Sequence, residues 1–210
     1  LSIKKLKKQI YISVITLWLF SLMSSVYGNS LPKIIQIENY INSVKTMDAK
    51  FIQISDTGKV ETGSIFFQKP DKLRFEYDKP SQHLILINGP ALVLFDRKNS
   101  KIPQKYLTSQ TPLSFLLKDP IQLRNNKFLN AMEATDNLIH LKLSNKEKPK
   151  LGKIELLFKS DPIEFNEWVI VNFSGEKTRL LFEDIKVNKP VNKKLFNIQA
   201  EIEKLANSAN

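Results

Sequence analysis

From Met47 to Val187 the chain repeatedly alternates apolar and polar residues over short runs and then turns sharply. Ala49, Phe51 and Gln53 alternate with Lys50 and Ile52. Strands are predicted over 59–68, 72–78, 83–88 and 91–96, and again near 127–134, 137–144, 151–159, 163–173 and 177–187. A last short strand is predicted near Leu195–Ile198. The breaks between runs, Asp56-Thr57-Gly58, Lys69-Pro70-Asp71, Lys79-Pro80-Ser81 and Asn88-Gly89-Pro90, hold the residues that tight turns require. Strands this short with links this tight pair with their chain neighbours, which gives an antiparallel meander of nine or more strands.

Two segments depart from this period. Ile34, Ile37, Ile41 and Val44 recur at helical spacing behind Pro32, which predicts an amphipathic helix over 31–46. A second helical piece, LSFLLK, follows Thr111-Pro112, with Thr111 as its expected cap. Two helices and so many strands imply one curved sheet with the apolar helix faces laid against its concave side.

The N-terminus reads differently. Four lysines precede an apolar run from Ile10 to about Met23, and Val26 and Gly28 occupy the −3 and −1 places of a cleavage site. Ser13, Thr16 and Ser21 interrupt the run, which is short against the roughly 20 apolar residues of a membrane span. Residues 1–28 are therefore expected to be a removed signal peptide. One soluble exported domain over 29–200 and a polar tail over 201–210 would remain. The chain has no cysteine, so the core alone must hold the fold in an oxidising compartment. The missing cysteine also leaves no lipid-attachment site after the leader.

The net charge of +11 does not point to nucleic acid. Without the four leader lysines, 28 basic face 21 acidic side chains, or +7, and only four of the basic residues are arginine, the residue that forks onto phosphates and bases. The lysines are scattered, which suits an anionic membrane surface better.

Catalytic and metal motifs are missing. His83 and His140 lie in or beside strands without a second His or Cys to complete a metal set. There is no G-x-S-x-G elbow, and the six glycines build no phosphate loop. No enzyme, metal or cofactor is expected. The aromatic-rich stretch FFQKPDKLRFEY, with Leu73, Phe75 and Tyr77 on one face, is either the inner row of a filled core or the wall of a cavity for an apolar guest. Alternation alone serves both equally well.

Several segments, in order, resemble the outer-membrane lipoprotein carrier family, LolA. They are a helix ending in MDAKFIQ, the strand GSIFF leading to Lys-Pro, then KLRFEYDKP, the hairpin LILINGPALVLFD, the helix TPLSFLL and an aliphatic segment before Phe196. The resemblance implies a mainly β fold: an incomplete barrel of about eleven antiparallel strands, lidded by short helices over a hydrophobic cavity. It further implies a monomeric periplasmic carrier, without enzymatic activity, that takes lipoproteins by their acyl chains from an inner-membrane exporter to an outer-membrane receptor. On that pattern Ile34, Ile37 and Ile41 would form one lid, Leu113, Leu116 and Leu117 a second, and Phe51, Leu73, Phe75 and Tyr77 the sheet wall. The family's Arg before the turn Pro latches the lid; here that residue is Lys69, three donors on a flexible stem in place of a planar fork. Arg74 should face away from Leu73 and Phe75 and reach the lid only across a bulge. Two other functions fit the same outline. A lipid hydrolase would need a hydroxyl beside His83 or His140. An envelope protein-binding or sensing module would need a filled core and a long free sheet edge.

Overall fold

Eleven antiparallel strands form one sheet in the computed structural model, which describes residues 30–100, 102–124, 128–172 and 174–207. The expected signal peptide lies outside the described residues. Helix α1 (Ser30–Ser43) leads into β1 (Thr46–Ser55), β2 (Val60–Gln68), β3 (Lys72–Tyr77), β4 (His83–Asn88), β5 (Ala91–Asp96) and β6 (Gln104–Leu107). The one-turn helix α2 (Leu113–Leu116) precedes β7 (Leu129–Ala134), β8 (Leu138–Ser144), β9 (Lys153–Ser160), β10 (Ile163–Val171) and β11 (Lys177–Val187). Helix α3 (Ile198–Asn207) comes last.

The strand order, β6-β5-β4-β3-β2-β1-β11-β10-β9-β8-β7, is two meanders joined at their outermost members in sequence. Strand β1 pairs with β11, Phe51 opposite Phe182, so the sheet's centre is made from the two ends of the domain. Its two edges, β6 and β7, are consecutive in the chain, and the link between them carries α2 across the concave opening. The expected incomplete barrel with helical lids is the observed architecture.

The sheet has a core on each face. The concave one takes alternate residues from nearly every strand, among them Ala49, Phe51, Ile65, Leu73, Phe75, Leu141, Leu156 and Phe182, with Ile37 and Ile41 of α1 and Leu113 and Leu116 of α2 above them. Gly63 makes room for this packing. A Cβ there would lie 2.6 Å from the Phe51 ring and 2.3 Å from the Glu76 carbonyl oxygen. On the convex face Leu84, Leu86, Val93 and Phe95 meet Phe196 and Leu205.

Four expectations are corrected. Strand β6 was not foreseen, because all four of its residues are exposed and none marks an inner face. Residues 193–196 form a 3₁₀ turn, Lys193–Phe196, and not a strand. The expected polar tail is largely helix α3: Ile198, Ile202 and Leu205 recur at helical spacing, pack on the convex face, and the Asn197 side chain caps the helix by accepting from the Ala200 N–H at 3.1 Å. Thr111 does not cap α2, since its hydroxyl donates backwards to the Thr108 carbonyl at 2.9 Å.

Candidate functional site

The candidate site lies beneath the C-terminal half of α1. Tyr40, Ile41 and Val44 roof a cavity of about 60 Å³ whose floor is Phe67, Leu156, Phe158, Phe165 and Trp168, closed at the sides by Met47, Leu116 and Val187. The wall is a lattice of edge-to-face and tilted rings. Tyr40 meets Phe158 at 6.0 Å between centroids, Phe158 meets Phe165 at 5.5 Å, Phe165 meets Trp168 at 5.6 Å, and Trp168 meets Phe75 at 6.0 Å. Phe75 continues to Phe51 at 5.4 Å and Phe51 to Tyr77 at 5.1 Å. Such pairs contribute about 0.5–1.5 kcal/mol each beyond their buried area, so the wall is stiff.

Lys69 is the cation in this lining. Its ammonium donates to the Ile41 carbonyl at 2.7 Å, one of the last-turn oxygens that a helix cannot satisfy internally, and its positive charge suits the negative end of the α1 dipole. Burial pushes the Lys69 ammonium down to about 8; Asp119 opposes that shift and Lys45 adds to it. Lys69 thus ties the C-terminal turn of α1 to the end of β2 through one side-chain bond. Arg74, as expected, points the other way.

Other bonds fix α1 around its margin. The Tyr40 hydroxyl accepts from the Phe165 N–H at 3.1 Å, Lys33 reaches the Ser160 carbonyl and hydroxyl at 3.3 and 3.2 Å, and Asn188 donates to the Ser43 carbonyl at 3.0 Å. The chain after α2 is tied to the same helix. Asn42 exchanges two bonds of 2.8 Å with the Ile121 backbone, and Glu38 accepts from the Leu123 and Arg124 N–H groups at 2.7 and 3.2 Å. Burial would raise the Glu38 carboxyl, but these donors and the Arg124 guanidinium bring it below its usual value. Residues 119–124 and α1 form one cover.

The structure distributes the expected site residues unevenly. Ile41, Leu116 and Lys69 line the cavity. Ile37, Phe51, Leu73, Phe75, Leu113 and Leu117 are buried in the surrounding core, with Ile34 and Tyr77 half-buried against it. The Tyr77 hydroxyl donates to Gln53 at 2.7 Å, and burial pushes its ionisation up.

The aromatic floor from β9 and β10 was missed. In strict alternation Phe165 and Trp168 face opposite sides, but an extra residue between Phe165 and Glu167 shifts the register against β9 and turns both rings inward. The same bulge sends Glu167 outward to a bidentate pair with Arg179, at 2.6 and 3.0 Å. The sequence EFNEWV, with rings three apart inside a strand, held that signal.

Neither histidine has a hydroxyl partner among the described residues. His140 bonds Glu155 at 2.8 Å, and His83 lies 3.8 Å from Asp96. No cluster of metal-ligating side chains occurs among the described residues.

A family model described as outer membrane lipoprotein carrier protein LolA matches residues 42–199. An outer-membrane lipoprotein carrier protein of Coxiella burnetii is 27% identical over 204 aligned positions, covering 91% of this chain and 93% of that one. Its counterpart in Pseudomonas aeruginosa is 26% identical over 170 positions, covering 77% and 80%. Among solved structures, a putative outer membrane lipoprotein-sorting protein domain from Vibrio parahaemolyticus aligns with a TM-score of 0.48 and 12% identity, over 80% of this chain and 97% of that one. The chain belongs to the LolA family of outer membrane lipoprotein carrier proteins, a family of carriers and not of enzymes.

Proposed function

We propose that this protein carries lipoproteins across the periplasm, holding their acyl chains between the aromatic wall and the α1–α2 cover. On this reading it loads at an inner-membrane exporter and unloads at an outer-membrane receptor. Ile34, Ile37, Ile41, Leu113, Leu116 and Leu117 would form the moving side of the site, and Phe51, Leu73, Phe75 and Tyr77 the fixed side. The observation that carries this reading is a small apolar cavity under a helix held mainly by separable marginal bonds.

The volumes require the cover to move. A cavity of ~150 Å³ takes one benzene-sized guest, so the roughly 60 Å³ here cannot admit an acyl chain while α1 is seated. The energies permit the movement. Each neutral marginal bond contributes about 0.5–1.5 kcal/mol net, because water replaces it on opening. Burying a chain of about fifteen CH₂ groups gains ~12 kcal/mol before ordering costs. Cargo can thus displace the cover, and the cover's return favours release.

Trp168 provides the test. Once residues 1–28 are removed it is the sole tryptophan, and it lies in the cavity floor. A synthetic triacylated lipopeptide should shift and saturate its emission, whereas the unacylated peptide should not. Unchanged emission, together with protein purified from envelopes free of acylated cargo, would overturn the proposal.

A further inference from the structure

The open seam of the barrel holds a second and larger cavity, of about 240 Å³. It lies where the sheet fails to close. The chain just past edge strand β6 (Ser109, Thr111) faces the β8–β9 hairpin (Asn145, Lys148) across it, and Phe128, next to edge strand β7, lines it as well. Its apolar lining includes Phe115, Phe128, Leu143, Leu151 and Ile154, while Lys118 and Lys148 supply cations. The Lys118 ammonium lies 5.4 Å from the Phe128 ring centroid.

Charge is concentrated here. The hairpin segment Asn145–Lys153 carries Lys146, Lys148, Lys150 and Lys153 against the single acid Glu147. Lys118 and Lys148 form no ion pair with any described residue. The lining therefore combines an aliphatic-aromatic surface with a cationic border, the complement of an anionic amphiphile.

Two consecutive residues of α2 separate this cavity from the inner one. Phe115 lines the seam cavity and Leu116 the inner cavity. The floor is continuous along β9, with Ile154 in one and Leu156 in the other, both on the concave face.

We propose that the seam is a separate binding site for a free single-chain amphiphile with an anionic head, a fatty-acid carboxylate, its chain on Phe115, Phe128, Leu143 and Ile154 and its head on Lys118 and Lys148. Volume selects the single chain. The seam exceeds the ~150 Å³ of a benzene-sized site by roughly half, room for part of one chain and not for the two of a phospholipid. The site goes beyond the carrier proposal, because its ligand needs neither a lipoprotein nor movement of α1.

The test titrates palmitate, hexadecanol and anionic phospholipid vesicles separately into the protein lacking residues 1–28, followed by calorimetry. Palmitate should bind more tightly than hexadecanol. The double variant Lys118→Glu, Lys148→Glu should weaken palmitate by about tenfold, the scale of two reversed charge contacts, and leave hexadecanol within about twofold. Ser109→Trp, at the exposed border, should weaken both. Equal affinity for acid and alcohol, palmitate binding indifferent to both variants, or binding to vesicles alone would overturn the proposal. Lipopeptide binding read from Trp168 separates this site from the carrier proposal: loss of palmitate in these variants with lipopeptide binding intact is the expected result, whereas an unmutated protein that binds lipopeptide but not palmitate sinks the seam site alone.

Discussion

Helix α1 on the concave face and helix α3 on the convex face cover the same sheet, but they are attached in different ways. Around α1 the bonds are marginal, separate from one another and mostly to backbone groups that water can satisfy, and the helix roofs a cavity. Under α3 lies a closed ionic network. Glu201 and Arg74, each with a side chain only 5% exposed, pair at 3.2 Å. Arg74 also pairs with Glu76 at 2.7 Å and donates to the Leu195 carbonyl at 2.9 Å. Arg97 bridges Glu76 and Glu201 at 2.8 and 2.6 Å, and Lys204 adds a contact to Glu201 at 3.0 Å. Lifting α1 together with residues 119–124 breaks separate bonds, one of them from the buried Lys69 ammonium, while Glu38 keeps its partners; lifting α3 parts a linked network of buried charges. On the carrier reading proposed above, motion belongs to the concave side, and the convex side serves as its fixed frame.

The largest test of this contrast is Glu201→Ala, which leaves Arg74 buried with only part of its charge compensated. It should cost about 3 kcal/mol in urea unfolding, as for breaking a buried pair. A loss under ~1 kcal/mol would mean that α3 is not the fixed element.

Gly63→Ala should come next, at about 2 kcal/mol, because its Cβ would meet the Phe51 ring and the Glu76 backbone. A lower midpoint on thermal unfolding, with disturbed near-UV circular dichroism from the aromatic wall, would verify it.

Lys69→Met removes the bond to Ile41. Hydrogen exchange in the last turn of α1 should quicken by at least about tenfold, the equivalent of one bond from a charged donor, while α3 amides keep their protection. Equal acceleration in both helices would break the comparison.

The effects of pH separate the two faces. Burial would raise the Glu201 and Glu76 carboxyls, but Lys204 and the arginines around Glu201, and Arg97 and Arg74 around Glu76, hold both below the usual range. Their contribution is complete above the ordinary Glu value of ~4.3 and is lost as pH falls through their folded values, so acid loosens α3 first. Lys69 works in the opposite window. Its folded value of about 8 lies under the unfolded ~10.4. The folded state therefore loses its proton first, and this group adds stability as pH rises from about 8 to 10. Lys69→Met should flatten that rise, and chemical denaturation at pH 7, 8.5 and 10 would measure it.

Most of the sheet was legible because most strands alternate and most turns are marked. The second core was legible too, though it was overlooked. HLILIN and ALVLFD are nearly continuous apolar runs, the mark of strands covered on both faces, and a one-sided reading left Leu84, Leu86, Val93 and Phe95 without a partner. Glu201 and Glu203 hid α3, because acids in a C-terminal segment resemble solvated surface until Arg74 and Arg97 are placed beside one of them. Of the residues that line the inner cavity, helical spacing singled out Ile41 and the family pattern Lys69. The β9–β10 rings depended on a bulge, and alternation cannot announce a place where alternation stops.

The pairing of β1 with β11 has a consequence for the order of assembly. Phe51 and Phe182 stand side by side at the centre of the sheet although most of the domain separates them along the chain. Closing so long a loop is slow and comes late, after local hairpins have formed. Until β11 has emerged, the two meanders remain separate half-walls with no shared trough between them. On the carrier reading proposed above, a newly made chain thus has no finished receptacle for acyl chains before β1 and β11 have paired.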